Sequence, residues 1–227
     1  MFFLAGIAAL LLCARANYVT LTDRYTADPA PFVLGDRVYI FTSHDLDQQR
    51  NWAMTDYSLM SSDDLTNWRD EGIVFDIKNT TWGLYAWAQQ VIAGPGGYYM
   101  YYPGMNKRPN DTRSGTGVAF SASITGPFLD ALGAPLLACG DDPTVFRDDD
   151  GQVYFCGNCG GPLCAKLAPN MTSLATRPAL LEPALPNWFE VRSALNGRAG
   201  FCLPRLYSTN PLSLALRALF PISRPRG

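Results

Sequence analysis

Two aspartates share a local sequence that could place a carboxylate for chemistry. Asp28 and Asp142 each begin the pattern D-P-x-x-F, and each copy continues through a turn to a Val-Tyr pair. A third acid, Glu190, follows in "PNWFEV". Paired acids suit glycoside hydrolysis, in which one protonates the leaving oxygen and the other activates water or attacks the sugar. A lone aspartate before a proline is more simply a solvated turn residue or a cation ligand, so the repetition is what favours catalysis.

The elements around these acids recur along the chain. Glycine-containing turns at Gly35, Gly96 and Gly151 are each followed by a strand-like apolar run. A second element, a strand-like run closed by a polar turn and a large apolar residue, recurs in "SLMSSDDLTNW", "VAFSASITGPF" and "AKLAPNMTSL". Short strands that repeat about every 50 to 60 residues predict an all-β fold of the β-propeller type. A β-sandwich also has short, regularly spaced strands and is the alternative.

A propeller would bring the three acids together. The first strand of each blade lines the central channel, so residues that open those strands converge on one pocket. The predicted openers are Asp28, Asp142, Glu190 and the second-blade segment around Trp87. Sugars also need aromatic platforms, and Trp82 and Trp87 are the candidates beside that second opener.

The N-terminus and the overall composition limit the classes of function. The apolar residues 1–16, closed by Ala-Arg-Ala, predict a signal peptide and therefore a secreted, extracellular protein, with a buried strand or membrane anchor as alternatives. Sequons at Asn79, Asn110 and Asn170 agree with secretion and predict a glycoprotein. A net charge of -2 gives no basic surface for nucleic acid, and no later segment predicts a membrane span.

Five cysteines follow the predicted signal, and "CGNCGGPLC" contains a C-x-x-C motif. A metal or redox role is disfavoured because the chain has a single histidine and no second C-x-x-C. Structural disulfides or buried thiols are the preferred interpretation. We expect no required cofactor and assign no metal-ligating residues; a structural cation such as calcium stays open as an alternative that no residue pattern here supports.

The segments "ADPAPFVLGDRVYIFTSHD", "DYSLMSSDDLTNWRDEG", "GVAFSASITGPF" and "DDPTVFRDDDGQVYF" resemble glycoside hydrolase family 43. The resemblance implies a five-bladed β-propeller, with arabinofuranosidase, β-xylosidase or arabinanase activity and inversion of the anomeric configuration. It further implies that Asp28 is the general base, Glu190 the general acid and Asp142 the acid that tunes the donor's pKa and orients it. His44 and Asp45 resemble a first-blade loop that borders the sugar, although His44 could equally be a surface residue.

The sequence departs from this family in two places. The usual Trp-Ala-Pro of the second blade is Trp87-Ala88-Gln89 here. After Glu190 the sequence keeps only traces of the family's motifs. We therefore expect a propeller domain over residues 17–190, with about three blades and part of a fourth. A divergent basic tail over residues 191–227 follows, with a remnant of the fourth blade as an alternative interpretation of it.

The expected function is a secreted, monomeric glycosidase that acts on arabinose- or xylose-containing polysaccharides or oligosaccharides. A catalytically inactive carbohydrate-binding fragment and a truncated product that does not fold are the alternatives.

Overall fold

The computed structural model describes residues 23–47, 53–105 and 114–180, which form three four-stranded antiparallel sheets. In each sheet the strands lie side by side in chain order, and we call these sheets blades 1, 2 and 3. Blade 1 comprises β1 (Tyr25–Leu34), β2 (Arg37–Asp45), β3 (Met54–Ser62) and β4 (Arg69–Asp76). Blade 2 comprises β5 (Gln90–Gly94), β6 (Gly97–Met105), β7 (Ser114–Ser121) and β8 (Leu129–Asp130). Blade 3 comprises β9 (Asp141–Arg147), β10 (Val153–Asn158), β11 (Pro162–Lys166) and β12 (Ala179–Leu180).

The first two strands of every blade are joined by a glycine turn where the sequence predicts one. Gly35, Gly96 and Gly151 have φ values of 59°, 77° and 85°, a region that glycine enters without the steric cost of a Cβ. In blades 1 and 2 the turn has only two central residues, since Leu34 pairs with Arg37 and Gly94 with Gly97. Such short turns fix the register of the hairpins that follow.

The second predicted repeat element is a polar turn between the third and fourth strands. In each blade a side-chain oxygen accepts a hydrogen bond from the backbone N–H of a threonine two residues later, at 2.8 Å, 3.3 Å and 3.2 Å. The acceptor and the threonine are Asp64 and Thr66 in blade 1, Ser123 and Thr125 in blade 2, and Asn170 and Thr172 in blade 3. The three blades are therefore copies of one structural unit.

Aromatic side chains pack each blade against the next. The rings of Phe41 and Phe128 meet edge to face at 5.9 Å between blades 1 and 2. Tyr101 lies 6.0 Å from Phe155 between blades 2 and 3, and its hydroxyl donates to the Met171 carbonyl at 2.6 Å. The first strand β5 contacts both β1 and β9. Successive sheets with adjacent first strands confirm the propeller class over the sandwich, while the part of a fourth blade predicted before residue 190 lies outside the described residues.

Two disulfides lie in blade 3 and the segment that leads into it. Cys139 pairs with Cys159 and Cys156 with Cys164, with Cα–Cα distances of 5.4 Å and 4.1 Å. The two cysteines of the C-x-x-C motif thus belong to different disulfides, in agreement with the preference for structural disulfides over a metal or redox motif. Among the described residues, no group of three or more His, Cys, Asp or Glu side chains is placed to hold a metal ion.

Other sequence predictions fall outside the described residues, namely the signal peptide, the basic tail and the sequon at Asn110. Asn79 and Asn170 are described and exposed. The described part of the chain contains no helix that could cross a bilayer.

Candidate active site

Asp28 lies in a β-bulge near the start of β1. Ala27 pairs with Ser43 and Ala30 with Phe41, so β1 has one more residue than β2 over this interval. Asp28 adopts φ 52°, the left-handed region that non-glycine residues seldom enter. The following proline disfavours the right-handed helical conformation for Asp28 as well. Bulges of this kind redirect a side chain out of the regular alternation, and here that side chain is a carboxylate.

Asp142 repeats this geometry in blade 3. Asp141 pairs with Asn158 and Thr144 with Cys156, which again leaves one extra residue in the first strand, and Asp142 has φ 48°. Asp141 keeps its place in the ladder, whereas Asp142 lies in the bulge. The geometry therefore distinguishes Asp142 from its acidic neighbour as the counterpart of Asp28.

The backbone at both sites is strained. A non-glycine residue in the left-handed region costs about 1 kcal/mol. Such strain persists where surrounding structure enforces it, and it clusters at functional sites. Two aspartates in one unusual conformation, each before a proline at the head of an innermost strand, are the strongest structural indication of a site in the described residues.

A buried serine holds the Asp28 carboxylate. The Ser43 hydroxyl donates to Asp28 Oδ2 at 2.7 Å, and Ser43 has no solvent exposure. Ser43 follows the core residues of β2 and directly precedes His44. Sequence reasoning did not single out Ser43, because the pairing of Ala27 with Ser43 depends on the bulge register.

His44 and Asp45 lie at the end of β2, the same end of blade 1 as Asp28. His44 Nδ1 lies 2.8 Å from Oδ1 of Asp56, which is only 9% exposed. Asp45 is half-buried and pairs in register with Tyr25. Asp56 was missed in the sequence, although an acid among the apolar residues of "MTDYSLM" was a usable signal. The contact fixes the His44 ring beside the Asp28 end of the blade.

The two candidate aromatic platforms have different environments. Trp87 is half-buried, and its ring stacks on Tyr85 with centroids 5.7 Å apart. Trp82, by contrast, is only 7% exposed, and its ring stacks on the buried Tyr102. A Cβ placed on Gly117 would come within 2.6 Å of the Trp82 ring. The predicted sugar contact of Trp82 therefore does not fit its position in the core, and Trp87 is left as the aromatic candidate.

Gln90 links the first strands of blades 2 and 3. Its Oε1 accepts hydrogen bonds from the Thr144 hydroxyl and from the Val145 N–H, the latter at 3.0 Å. Since β9 pairs only with β10 among the described strands, Val145 lies on an edge that Gln90 helps to satisfy. Gln90 thus anchors β9 two residues after Asp142. The neighbouring Gln89, at the position of the missing proline, is fully buried.

Glu190, the predicted general acid, lies outside the described residues. The described part of the site therefore consists of two bulge carboxylates, a serine that holds one of them, an aromatic pair and a glutamine between blades. Carboxylates on separate innermost strands are suited to proton transfer on a substrate bound over the channel.

The fold is that of a β-propeller, with an aspartate in a bulge at the head of the first strand of blades 1 and 3. Residues 20–191 match the family described as Glycosyl hydrolases family 43. This chain belongs to that family, as the sequence resemblance predicted.

Relatives and solved structures agree with this assignment. A xylosidase/arabinosidase of Bacteroides ovatus is 34% identical over 72% of this chain and 53% of its own length. A xylosidase/arabinosidase of Humicola insolens is 33% identical over 63% of this chain and 47% of its own. The chain thus spans about half the length of these curated relatives. The structure of a family-43 β-xylosidase/α-arabinofuranosidase from a compost metagenome superposes with a TM-score of 0.64, at 29% identity, covering 71% of this chain and 60% of that one.

Proposed function

We propose that this protein is a glycosidase that releases xylosyl or arabinofuranosyl residues from plant-type polysaccharides or oligosaccharides with inversion of configuration. The observation that carries the proposal is the matched pair of bulges at Asp28 and Asp142, in a chain of family 43. Relatives named xylosidase/arabinosidase support the substrate class. Complexes of related enzymes with xylotriose and xylose make xylo-oligosaccharides the first substrates to test.

In the proposed reaction, Asp28 is the general base. It takes a proton from a water molecule whose oxygen attacks the anomeric carbon, while the bond from that carbon to the leaving oxygen breaks. Glu190 gives its proton to the leaving oxygen. Asp142 orients the Glu190 carboxyl and adjusts its pKa. Inversion needs room for the water, so the carboxyl groups of base and acid are expected about 6.5–9.5 Å apart. Trp87 and the His44–Asp45 end of β2 would contact the sugar.

The remaining expectations from the sequence belong to the same proposal. We propose that the protein is secreted, that it is glycosylated and monomeric, and that it needs no redox cofactor. The exposure of Asn79 and Asn170 supports glycosylation, and the two disulfides support an oxidising compartment.

The test uses the full chain with an aryl β-xyloside and an aryl α-arabinofuranoside. Asp28→Asn and Asp142→Asn are expected to lower kcat by about 10²–10⁴-fold, the usual contribution of a positioned acid or base. Asp36→Asn is the control, because Asp36 is an exposed turn acid of the same strand pair. Wild-type chain that binds xylotriose but releases no sugar would overturn the proposal in favour of a carbohydrate-binding protein.

A further inference from the structure

We propose that Ser43 is a positioning residue that sets the orientation of the Asp28 carboxylate. The inference rests on the proposed role of Asp28 as general base. The observation behind it is the 2.7 Å hydrogen bond from the Ser43 hydroxyl to Asp28 Oδ2. The Ser43 side chain that makes this bond has no solvent exposure.

The hydrogen bond is made to only one carboxylate oxygen. In the described part of the chain, Ser43 is the one hydrogen-bond partner of the Asp28 side chain. In the proposed reaction, the other oxygen, Oδ1, is the one that takes the proton from water. A neutral hydroxyl donor fixes the rotation of the carboxylate about its last torsion, which is otherwise broad for aspartate.

Ser43 is itself held in place from both sides. Its backbone pairs with Ala27 of β1 and with Tyr57 of β3, so β2 is a central strand at this point. Tyr57 is fully buried. A buried hydroxyl without a partner would be unfavourable, so Ser43 and Asp28 stabilise each other's orientation.

The bulge and the serine constrain Asp28 at different points. The left-handed backbone aims the Cα–Cβ bond, and Ser43 sets the far end of the side chain. A general base must lie in line with the water it activates, and a misplacement of about 1 Å can cost about 10²-fold in rate. Loss of Ser43 should therefore slow the chemical step while leaving sugar binding unchanged.

Ser43→Ala is expected to lower kcat by about 10- to 100-fold, with KM within about twofold of wild type. Ser43→Thr keeps a hydroxyl at the same place and is expected to restore most of the activity. Ser58→Ala is the matched control, because Ser58 is also fully buried on this sheet and its hydroxyl has no hydrogen-bond partner in the described structure. That variant should keep the wild-type kcat.

A double-mutant cycle distinguishes a purely structural role of Ser43 from positioning of the Asp28 carboxylate. In an Asp28→Asn background, Ser43→Ala should have little further effect on kcat, because the group it positions has already been disabled. If Ser43→Ala does not fold, Ser43→Cys, which is close in size but a weak donor, replaces it.

Two results would overturn the inference. One is a Ser43→Ala enzyme with the wild-type kcat, and the other is an equal loss in Ser58→Ala. An inactive wild-type chain would instead contradict the proposed function, so the two failures are distinguishable.

Discussion

Asp28 and Asp142 adopt the same left-handed conformation, with φ of 52° and 48°, at matching points of β1 and β9. Each is the extra residue of a bulge and each precedes a proline. The two blades therefore present a carboxylate by the same device, and blade 2 lacks it because its first strand begins at Gln90 after Trp-Ala-Gln. The repeated structural unit thus carries this bulge carboxylate in two of its three described copies.

Strain at the two bulges predicts an unusual order of stability. Glycine should be more stable than alanine by about 1 kcal/mol at positions 28 and 142, because both substitutions remove the carboxylate but only alanine retains a Cβ. Thermal or urea unfolding of the four single variants measures the difference. At Asp36, which is not in the left-handed region, alanine should equal or exceed glycine. An alanine advantage at 28 and 142 as well would contradict the strain.

The two tryptophans should separate packing from substrate binding. Trp82→Ala removes a ring buried against Tyr102, so it should cost about 3–5 kcal/mol of folding stability. Trp87→Ala should cost less folding stability than Trp82→Ala, because its ring is only half-buried beside Tyr85, and it should raise KM because the ring is the proposed sugar contact. Unfolding curves and steady-state kinetics on the same preparations test this. A stable Trp82→Ala protein with a raised KM would restore Trp82 as a platform.

Gln90 should stabilise the contact between blades 2 and 3. Gln90→Met keeps the length of the side chain but removes the acceptor, which leaves the Val145 N–H without this partner. The expected loss is about 1–3 kcal/mol in the free energy of unfolding. Gln90→Glu retains an oxygen acceptor at neutral pH and serves as the control. Equal stability of the methionine variant and the wild type would show that this link contributes nothing.

Asp64 should make the turn between β3 and β4 sensitive to acid. Hydrogen bonds from the backbone N–H of Asn67, then from the Asn67 side chain and the Thr66 N–H, hold the pKa of the Asp64 carboxyl well below its usual 3.8. A depressed folded-state pKa stabilises the protein above the unfolded value, and that contribution is lost as the pH falls towards the folded one.

The comparison for this turn is wild type against Asp64→Asn, unfolded by urea from pH 7 down to pH 2. The stability advantage of the wild type should be full above about pH 5 and should shrink below about pH 4. An advantage that stays constant or grows as the pH falls would contradict the assigned hydrogen bonds.

Much of the fold could be predicted from the sequence because it depends on local patterns. The glycine turns and the Asx-type turns at Asp64 and Asn170 are encoded within a few residues, and their spacing revealed the blades. Asp142, and not Asp141, begins the second D-P-x-x-F pattern, so the proline that comes next is a local feature that identifies it. Such signals do not need knowledge of which blades touch.

The features that were missed depend on tertiary contacts. Trp82 and Trp87 look alike in the sequence, and only the packing of β6 and β7 shows that Trp82 fills a space left by Gly117. The partnership of Gln90 with Val145 joins residues from different blades. Ser43 meets Asp28 because the bulge shifts the register by one residue, which no periodicity in the sequence reports.

The most direct test of the account is the configuration of the first sugar released. Proton NMR of the wild-type chain acting on an aryl β-xyloside, with Asp28→Asn as the blank, should show α-xylose before mutarotation mixes the anomers. That result requires a water activated on the face opposite the leaving group, which is the role given to Asp28. Initial β-xylose, or release by Asp28→Asn at the wild-type rate, would contradict the assignment of Asp28 as the general base.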